Sequence, residues 1–286
     1  MKIESDQSDP NFAGERRAYL AHLWRVELDE SFETPSSVIA YGRRSAQRVV
    51  LKAVKRPNDE WHAGDVLAAF GGRGVVRVLE HTAGAMLLER LDPGTQLVEL
   101  VRSGGHEAAT AIVTEVIVAM TPDAAPLSSP TVSDWARGFA RYRATPDTQV
   151  PRPLAERAEQ VYLDLCASQR SPRLLHGDLH HYNVLLDRAR GWTAIDPKGV
   201  VGEIEYEIGA AMRNPVELPD LVTDRRTIER RLTRFCSALD LDAWRVMRWC
   251  YSQAVLSAIW GVEDGDAVGP DNLALRLATV LEPMLA

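Results

Sequence analysis

The segment that decides the fold is Leu174-Leu175-His176-Gly177-Asp178-Leu179-His180-His181-Tyr182-Asn183-Val184-Leu185-Leu186-Asp187. Two apolar runs, which predict short strands, enclose a loop that contains an aspartate, an asparagine and three histidines. A further apolar run begins at Trp192 and ends at Asp196. We therefore expect Asp178, Asn183 and Asp196 to lie close together, at neighbouring loop ends of a strand pair.

These three side chains match the requirements of phosphoryl transfer. One carboxylate must face the acceptor hydroxyl, and an amide and a second carboxylate must hold magnesium. Asp178 is the candidate catalytic base, and Asn183 and Asp196 are the candidate metal ligands. A metallohydrolase centre is one alternative, but it needs further histidines or cysteines, and no histidine follows His181. A polar turn between core strands is the other.

The composition narrows the class of protein. The 286 residues are 45% hydrophobic and 26% charged, which is typical of a soluble globular protein with one large domain or two lobes. The net charge of −7 argues against a nucleic-acid partner and permits a cationic substrate. Three widely spaced cysteines predict buried free thiols in a reducing cytoplasm. We expect neither a signal peptide nor a membrane-spanning segment.

Short strands dominate the first third of the chain and predict a small antiparallel sheet with one helix. We expect strands over residues 24–28, 37–42, 48–55, 75–79 and 85–89, a short helix over 15–23, and a helix from residue 58 or 59 to 70. Lys52 lies in the third strand, and Glu60, at the start of the helix, is close enough to pair with it. A lysine held by a glutamate presents a fixed charge to nucleotide phosphates, although both could be ordinary surface charges.

Two further segments are candidates for nucleotide binding. The turn Thr34-Pro35-Ser36-Ser37 lies where a phosphate-covering loop belongs, and backbone amides with the hydroxyls of Ser36 and Ser37 would replace a glycine-rich pattern. Backbone groups from Glu89 to Leu91 could hydrogen-bond an adenine edge. The turn signal that begins at Asp92 predicts a lobe boundary. It divides the chain into residues 1–91, of which 1–22 are poorly defined, and residues 92–286.

The second part reads as mainly helical, because the hydrophobic period changes from two to 3.6 residues. We expect helices over residues 106–120, 132–144, 154–165, 225–239, 242–260 and 272–285. The aromatic stripes of these helices are typical of a core, although Trp249 or Tyr251 could line a substrate pocket. The predicted fold class is therefore α+β, with a small antiparallel-sheet lobe and a larger, mainly helical lobe.

The segment from His176 to Asn183, followed by Ile195-Asp196-Pro197, resembles the aminoglycoside phosphotransferase family with its kinase-like two-lobed fold. The run from Asp196 to Glu203, with Glu207-Ile208-Gly209-Ala210 and Arg213-Asn214-Pro215, is similar to the streptomycin 6-kinase and hydroxyurea phosphotransferase branch. The resemblance implies an enzyme that uses ATP and Mg²⁺ to phosphorylate a hydroxyl of a streptomycin-type aminoglycoside, and so confers resistance.

The same resemblance implies roles for individual residues. Asp178 would be the catalytic base, and Asn183 and Asp196 would hold the magnesium ions that bridge the ATP phosphates. Lys52, steadied by Glu60, would contact the α- and β-phosphates.

Several neighbours of these residues are expected to support the loop or to contact a ligand. His176 is expected to orient the catalytic loop, and Glu207 to brace it by accepting backbone hydrogen bonds. His180 and His181 either approach phosphate or pack the loop. Glu203, a few residues after the metal-binding strand, faces either the acceptor or the solvent.

Acidic side chains could bind the guanidinium groups of a streptomycin-like acceptor. Glu203, Glu263 and Asp264 are the candidates, although such runs are also typical of a solvated face. One alternative function is a kinase of another small hydroxylated molecule, hydroxyurea or a sugar-like metabolite. Another is a non-catalytic nucleotide-binding pseudokinase. We expect a cytoplasmic monomer whose partner is a small cationic hydroxylated substrate, not nucleic acid or a membrane.

Overall fold

The computed structural model describes residues 12–285, and the first part of this range forms one five-stranded sheet with two helices. The elements are α1 (Phe12–Leu23), β1 (Glu27–Glu33), β2 (Ser37–Arg44), β3 (Gln47–Val54), α2 (Ala63–Phe70), β4 (Val78–Thr82) and β5 (Ala85–Glu89). The strand order is β1-β2-β3-β5-β4, and all neighbours are antiparallel. Of the stretch predicted to be poorly defined, residues 1–11 lie outside the described part.

Strand β3 lies at the centre of this sheet and separates two environments. Val49, Leu51 and Ala53 are fully buried in a cluster that also contains Leu20 of α1. Because side chains alternate along a strand, Lys52 lies on the opposite face, toward the rest of the chain. Helix α2 ends at Gly71, whose φ of +59° gives a left-handed cap that glycine adopts without strain.

The remainder of the chain is mainly helical and contains two small sheets. Its elements are β6 (Pro93–Gln96), α3 (Leu97–Arg102), α4 (His106–Ala119), α5 (Val132–Trp135), α6 (Arg137–Arg143), α7 (Arg152–Ala167), β7 (Arg173–Leu175), β8 (Val184–Asp187), β9 (Gly191–Ala194), β10 (Val200–Gly202), α8 (Ile204–Met212), α9 (Pro219–Thr223), α10 (Arg225–Leu239), α11 (Ala243–Glu263), α12 (Leu273–Leu281) and a 3₁₀ turn (Glu282–Leu285). The α+β fold class is confirmed.

Helix α11 organises the helical part and packs against α7, α8 and α12. Trp249 in this helix is fully buried, and its ring centroid lies 5.0 Å from those of Tyr162 and Tyr206. Tyr251 is fully buried as well. The alternative in which Trp249 or Tyr251 lines a substrate pocket is therefore wrong, because both side chains belong to the core.

Short strands position the loop that carries Asp178 and Asn183. β8 and β9 form a hairpin in which Val184 pairs with Ala194, so the residues just before β8 and just after β9 meet at one end. β7 pairs instead with β10, in a separate two-stranded sheet. The loop that carries Asp178 therefore connects two sheets.

The core is continuous between the two parts of the chain. Val66 and Phe70 of α2 belong to the same buried cluster as Val184 and Ala194 of the hairpin. The backbone joins the parts too, because the N–H of Val76 donates to Ala194 O at 2.8 Å. Within residues 12–285, no helix is long and apolar enough to cross a membrane.

Candidate active site

Lys52 is the centre of a charge cluster at the cleft between the sheet and the helical part. Its Nζ lies 2.9 Å from Glu60 Oε2 and 2.8 Å from Asp196 Oδ1, so the predicted ion pair with Glu60 is present. The side chain is only 5% exposed. Burial lowers the pKa of Lys52, but the charges of Asp196 and Glu60 more than offset this, and the net pKa is raised. The ammonium group is therefore charged and fixed in direction.

Two serine hydroxyls orient Glu60, which lies in a turn and not, as expected, at the start of a helix, because α2 begins at Ala63. Ser36 Oγ donates to Oε1 at 3.1 Å and Ser37 Oγ donates to Oε2 at 3.3 Å. Ser37 is fully buried, and its N–H donates to Thr34 Oγ1. The expectation that Ser37 binds phosphate is therefore not supported, because both of its donors are engaged. Ser36 lines the cleft and stays a candidate.

The catalytic loop brings Asp178, Asn183 and Asp196 together through its own backbone. The Ile195 N–H donates to Asn183 O at 2.9 Å, and Asn183 Nδ2 donates to Asp178 O at 3.0 Å. Asp196 follows Ile195 and has a φ of +55°, which is uncommon for a residue with a side chain. Such backbone strain persists only where the surrounding contacts fix it, and here Lys52 holds the Asp196 carboxylate.

Glu207 accepts backbone hydrogen bonds from this loop, as expected. Its Oε2 accepts the N–H of His176 at 2.8 Å, and its Oε1 accepts the N–H of Gly177 at 3.1 Å. Burial raises the pKa of Glu207 to about 7, against the lowering effect of the two backbone hydrogen bonds. The backbone next to Asp178 is thus held by a carboxyl group that titrates near neutral pH.

His176 orients the loop and is fully buried. Its Nε2 lies 2.8 Å from Ile195 O, and its Nδ1 accepts the Asp178 N–H at 3.3 Å. Burial lowers the pKa of His176 to about 4, so the ring is neutral at neutral pH. A neutral ring with one donor and one acceptor nitrogen satisfies both contacts.

The other two histidines differ in exposure. His181 is 1% exposed, and burial and the nearby charge of Arg231 lower its pKa well below the usual range. It therefore packs the loop. The His180 side chain is 17% exposed, and its Nε2 lies 3.7 Å from Oδ2 of Asp178, the candidate base.

The Asp178 carboxylate is held in its ionised form. Burial alone would raise its pKa, but the nearby His180, whose Nε2 lies 3.7 Å from Oδ2, lowers it. The charges of Lys198 and Arg213 act in the same direction, and the net pKa is lowered. A weak base of this kind is sufficient where proton transfer is late and positioning dominates the rate.

The candidate metal ligands offer oxygen atoms, which suit magnesium. Because the Asn183 amide nitrogen donates to Asp178 O, its amide oxygen is left for a metal. Asp196 uses Oδ1 for Lys52 and keeps Oδ2, and its side chain is 39% exposed. Within residues 12–285, no group of three histidine, cysteine, aspartate or glutamate side chains forms a ready-made metal site. This donor set fits an ion that also binds substrate phosphates.

The cleft next to Lys52 has a volume of about 700 Å³. Its walls are apolar away from the charge cluster, and the lining side chains come from both parts of the chain: Ile39, Val50, Val76, Leu88, Leu185 and Ile195. Glu89 and Leu91 lie on its edge. The Glu89 N–H donates to Arg77 O, and its carboxylate pairs with Arg190. Within residues 12–285, the Leu91 N–H makes no hydrogen bond.

Sequence reasoning missed the ion pair between Lys52 and Asp196, and it also missed one between Lys198 and Asp59. Lys198 lies two residues after Asp196, and Asp59 precedes Glu60. The two residues are 139 positions apart. The adjacency of Asp59 to Glu60 was the only signal in the sequence, since nothing local predicts the partner of an isolated lysine.

Glu203 does not face the cleft. Its side chain is fully buried, and its Oε1 lies 2.5 Å from both Arg245 Nε and Trp249 Nε1. Its other oxygen, Oε2, accepts the Arg170 N–H at 2.9 Å. The expectation that Glu203 contacts the acceptor is wrong, because a ligand would have to displace a buried ion pair.

Glu263 and Asp264 lie at the end of α11. The carboxylate of Glu263 forms a bidentate pair with Arg141, at 2.8 Å for both contacts, and Asp264 is exposed. One turn earlier, Trp260 packs edge-on against Trp135, with ring centroids 5.6 Å apart. A Cβ at Gly177 would lie 3.0 Å from the Trp135 ring. The rings of Trp260 and Trp135 thus connect the end of α11, with Glu263 and Asp264, to Gly177.

Comparison with known proteins identifies the family. A family model described as aminoglycoside/hydroxyurea antibiotic resistance kinase matches residues 24–265. The chain belongs to this family. Streptomycin 3''-kinase of Klebsiella pneumoniae is 32% identical to this family member over 253 residues, which cover 85% of this chain and 91% of the relative. Streptomycin 6-kinase of Streptomyces glaucescens is 30% identical over 298 residues, which cover 94% and 92%.

A solved structure supports the fold of this resistance kinase. A thermostable aminoglycoside phosphotransferase mutant, in ternary complex with ADP and hygromycin B, superimposes with a TM-score of 0.66 at 17% identity. The match covers 93% of this chain and 97% of that one. The predicted kinase-like fold and the predicted family, including its streptomycin and hydroxyurea branch, are both confirmed.

Proposed function

We propose that this kinase transfers the γ-phosphoryl group of ATP to a hydroxyl of a streptomycin-type aminoglycoside and thereby inactivates the antibiotic. The observation that carries the proposal is the pairing of Lys52 with Asp196 at the cleft, with Asp178 tied to the residue before Asp196 through Asn183. A fixed ammonium, a metal-binding carboxylate and an ionised base are the groups that phosphoryl transfer requires.

The nucleotide would occupy the cleft beside Lys52. Apolar side chains of both walls would enclose the adenine ring, and the free N–H of Leu91 would donate to its edge. Lys52 would bind the α- and β-phosphates, because its charge is fixed by Glu60 and Asp196.

Asn183 and Asp196 would hold magnesium by the oxygen atoms that their present contacts leave available. When bound, the ion neutralises charge on the phosphates and fixes their direction. The chain's own groups do the rest. Asp178 orients the acceptor hydroxyl and takes its proton as the acceptor oxygen bonds to the γ-phosphorus. The bond from that phosphorus to the β–γ bridging oxygen breaks, and ADP leaves with the electron pair.

The acceptor would lie on the other side of Asp178, beside Trp135. Asp264 and Glu263 stay candidates for its guanidinium groups, since Trp260 and Trp135 connect their turn to the catalytic loop. Glu263 would have to share its carboxylate with Arg141, so Asp264 is the less encumbered of the two.

The proposal is tested by turnover of Mg-ATP with streptomycin, hygromycin B and hydroxyurea, followed by mapping of the phosphorylated position. We expect transfer to streptomycin in the wild-type protein. Asp178→Asn should lower kcat at least about a thousandfold while ADP still binds. Asp123→Asn, which removes an exposed carboxylate that pairs with Arg73, is the matched control and should leave kcat unchanged.

The family model also covers hydroxyurea kinases, and this favours hydroxyurea as the second candidate acceptor. Transfer to hydroxyurea without transfer to any aminoglycoside would replace the proposed acceptor and keep the mechanism. ATP turnover that survives Asp178→Asn would contradict the mechanism itself.

A further inference from the structure

Lys198 is an unusual residue in this chain, because positive charge is otherwise carried almost entirely by arginine. Of the 33 lysines and arginines only four are lysines: Lys2, Lys52, Lys55 and Lys198. Lys52 is already assigned to the nucleotide phosphates. An ammonium group binds phosphate as a compact point charge, unlike the planar guanidinium of arginine. Lys198 therefore offers a compact ammonium charge, which the arginines of the chain lack.

The backbone of Lys198 is tied to the catalytic loop. The N–H groups of Lys198 and Gly199 both donate to His176 O at 3.0 Å. Gly199 has a φ of +73°, and a Cβ there would lie 2.3 Å from Val66 of α2. The segment is thus held between the catalytic loop and α2, and the side chain of Lys198 starts from a fixed point.

The side chain of Lys198 extends from the backbone tied to the catalytic loop to Asp59. It pairs with Asp59, which is adjacent in sequence to Glu60, the partner of Lys52. Its charge also acts on Asp178, whose pKa it helps to lower. The side chain is 35% exposed, so its ion pair with Asp59 is open to solvent and to a dissolved anion.

We propose that Lys198 binds the transferred γ-phosphoryl group, and that Asp59 holds the ammonium in place until the nucleotide arrives. This inference rests on the proposed function. The γ-phosphate must lie between the nucleotide cluster around Lys52 and the base Asp178. Lys198 connects these two places, because its backbone bonds to His176 and its ammonium pairs with Asp59, the neighbour of Glu60. On nucleotide binding, Lys198 exchanges its Asp59 contact for a γ-phosphate oxygen.

In the transfer step, Lys198 stabilises charge and makes no covalent bond. As the acceptor oxygen attacks and the bond to the bridging oxygen breaks, negative charge remains on the peripheral oxygens of the moving group. Lys198 keeps its proton and donates a hydrogen bond to one of them, while Asp178 takes the acceptor proton. Lys198 then stays with the phosphorylated product until it leaves.

The test compares two nucleotides that differ in the γ-phosphate, ADP and the non-hydrolysable analogue AMP-PNP, both with magnesium. In Lys198→Met, the Kd for AMP-PNP should rise about tenfold or more, the effect of one lost charge-assisted hydrogen bond, while the Kd for ADP stays within about twofold. The kcat for the acceptor should fall about a hundredfold. Lys198→Arg should restore part of both effects.

Two further variants separate this role from a purely structural one. Arg44→Met removes a partly exposed cation at the end of β2 that pairs with Glu80 and should leave both Kd values unchanged. Asp59→Asn breaks the ion pair but keeps Lys198, and it should retain the preference for AMP-PNP over ADP.

Three results would overturn the inference. The first is an equal weakening of ADP and AMP-PNP in Lys198→Met, and the second is no weakening of either. The third is a loss in Asp59→Asn as large as in Lys198→Met, because the ion pair would then be a structural link only. Failure of the wild-type protein to bind either nucleotide would instead refute the proposed function, on which the inference depends.

Discussion

Glu207→Gln tests whether the carboxyl group beneath the catalytic loop has a pKa near neutrality. Glu207 accepts the N–H groups of His176 and Gly177 and is almost completely buried. Its pKa rises from the 4.5 of a free glutamate to about 7. The folded protein therefore binds a proton at a pH where the unfolded chain has lost it. The stability from this group is fully present below pH 4.5 and is lost as the pH rises through about 7.

The magnitude follows from that shift. A rise from 4.5 to about 7 corresponds to about 3 kcal/mol of unfolding free energy, most of it lost between pH 5 and pH 8. Glutamine cannot ionise, so the variant lacks this loss. The variant is instead less stable at every pH by about 1–3 kcal/mol, because its amide nitrogen faces a backbone N–H and cannot accept the hydrogen bond that the carboxylate accepted.

Urea denaturation at pH 5 and pH 8 measures both effects. At pH 5 we expect Glu207→Gln to be less stable than the wild type by about 1–3 kcal/mol. At pH 8 the difference should vanish or reverse. Glu80→Gln, at an exposed carboxylate that pairs with Arg44, is the control and should show no such change with pH. A difference between wild type and Glu207→Gln that is the same at both pH values would refute the assignment of this pKa to Glu207.

Three further predictions follow from the buried groups. Glu203→Ala should destabilise the protein by about 3–5 kcal/mol in urea, because Arg245 is left without its buried partner; a loss below about 1 kcal/mol would contradict the burial of this pair. His176 has its pKa lowered from 6.5 to about 4, so the stability from its neutral ring is present above pH 6.5 and is lost as the pH falls through about 4. His176→Gln should therefore shift the acid denaturation midpoint to lower pH, and an unchanged midpoint would count against this. Lys52→Met should weaken ADP binding about tenfold or more by calorimetry, and an unchanged Kd would remove Lys52 from the nucleotide site.

The grouping of Asp178 with Asn183 and Asp196 could be predicted because it depends on residues close in sequence. Asp178 and Asn183 are five residues apart. The apolar runs on either side predict strands, so the loop that carries both residues must lie between the ends of those strands. The pairing of Lys52 with Glu60 was predictable for the same reason, although α2 begins later than expected. Strand alternation was sufficient to direct Lys52 into the cleft.

The rest could not be predicted, because it depends on contacts between distant segments. Glu203 follows the strand before Asp196 by only a few residues, as an acceptor-binding acid would. Only the packing of α11 shows that Arg245 and Trp249 enclose it. The pairing of β7 with β10 involves three residues on each strand, too few to show a period. The helix expected over residues 132–144 is divided near Ala136 into α5 and α6, and the neighbouring glycine, Gly138, lies inside α6 and not at the division.

The continuous core limits how genes of this family can be recombined. Val66 and Phe70 of α2 share a buried cluster with the β8–β9 hairpin. A crossover at the boundary predicted after residue 91 would therefore combine core residues from two different parents. Chimaeras of two family members should express better when α2 and the segment after residue 92 come from the same parent. Met86 and Leu88 of β5 belong to the same cluster, so an exchange of the sheet would also have to keep these residues matched to the hairpin.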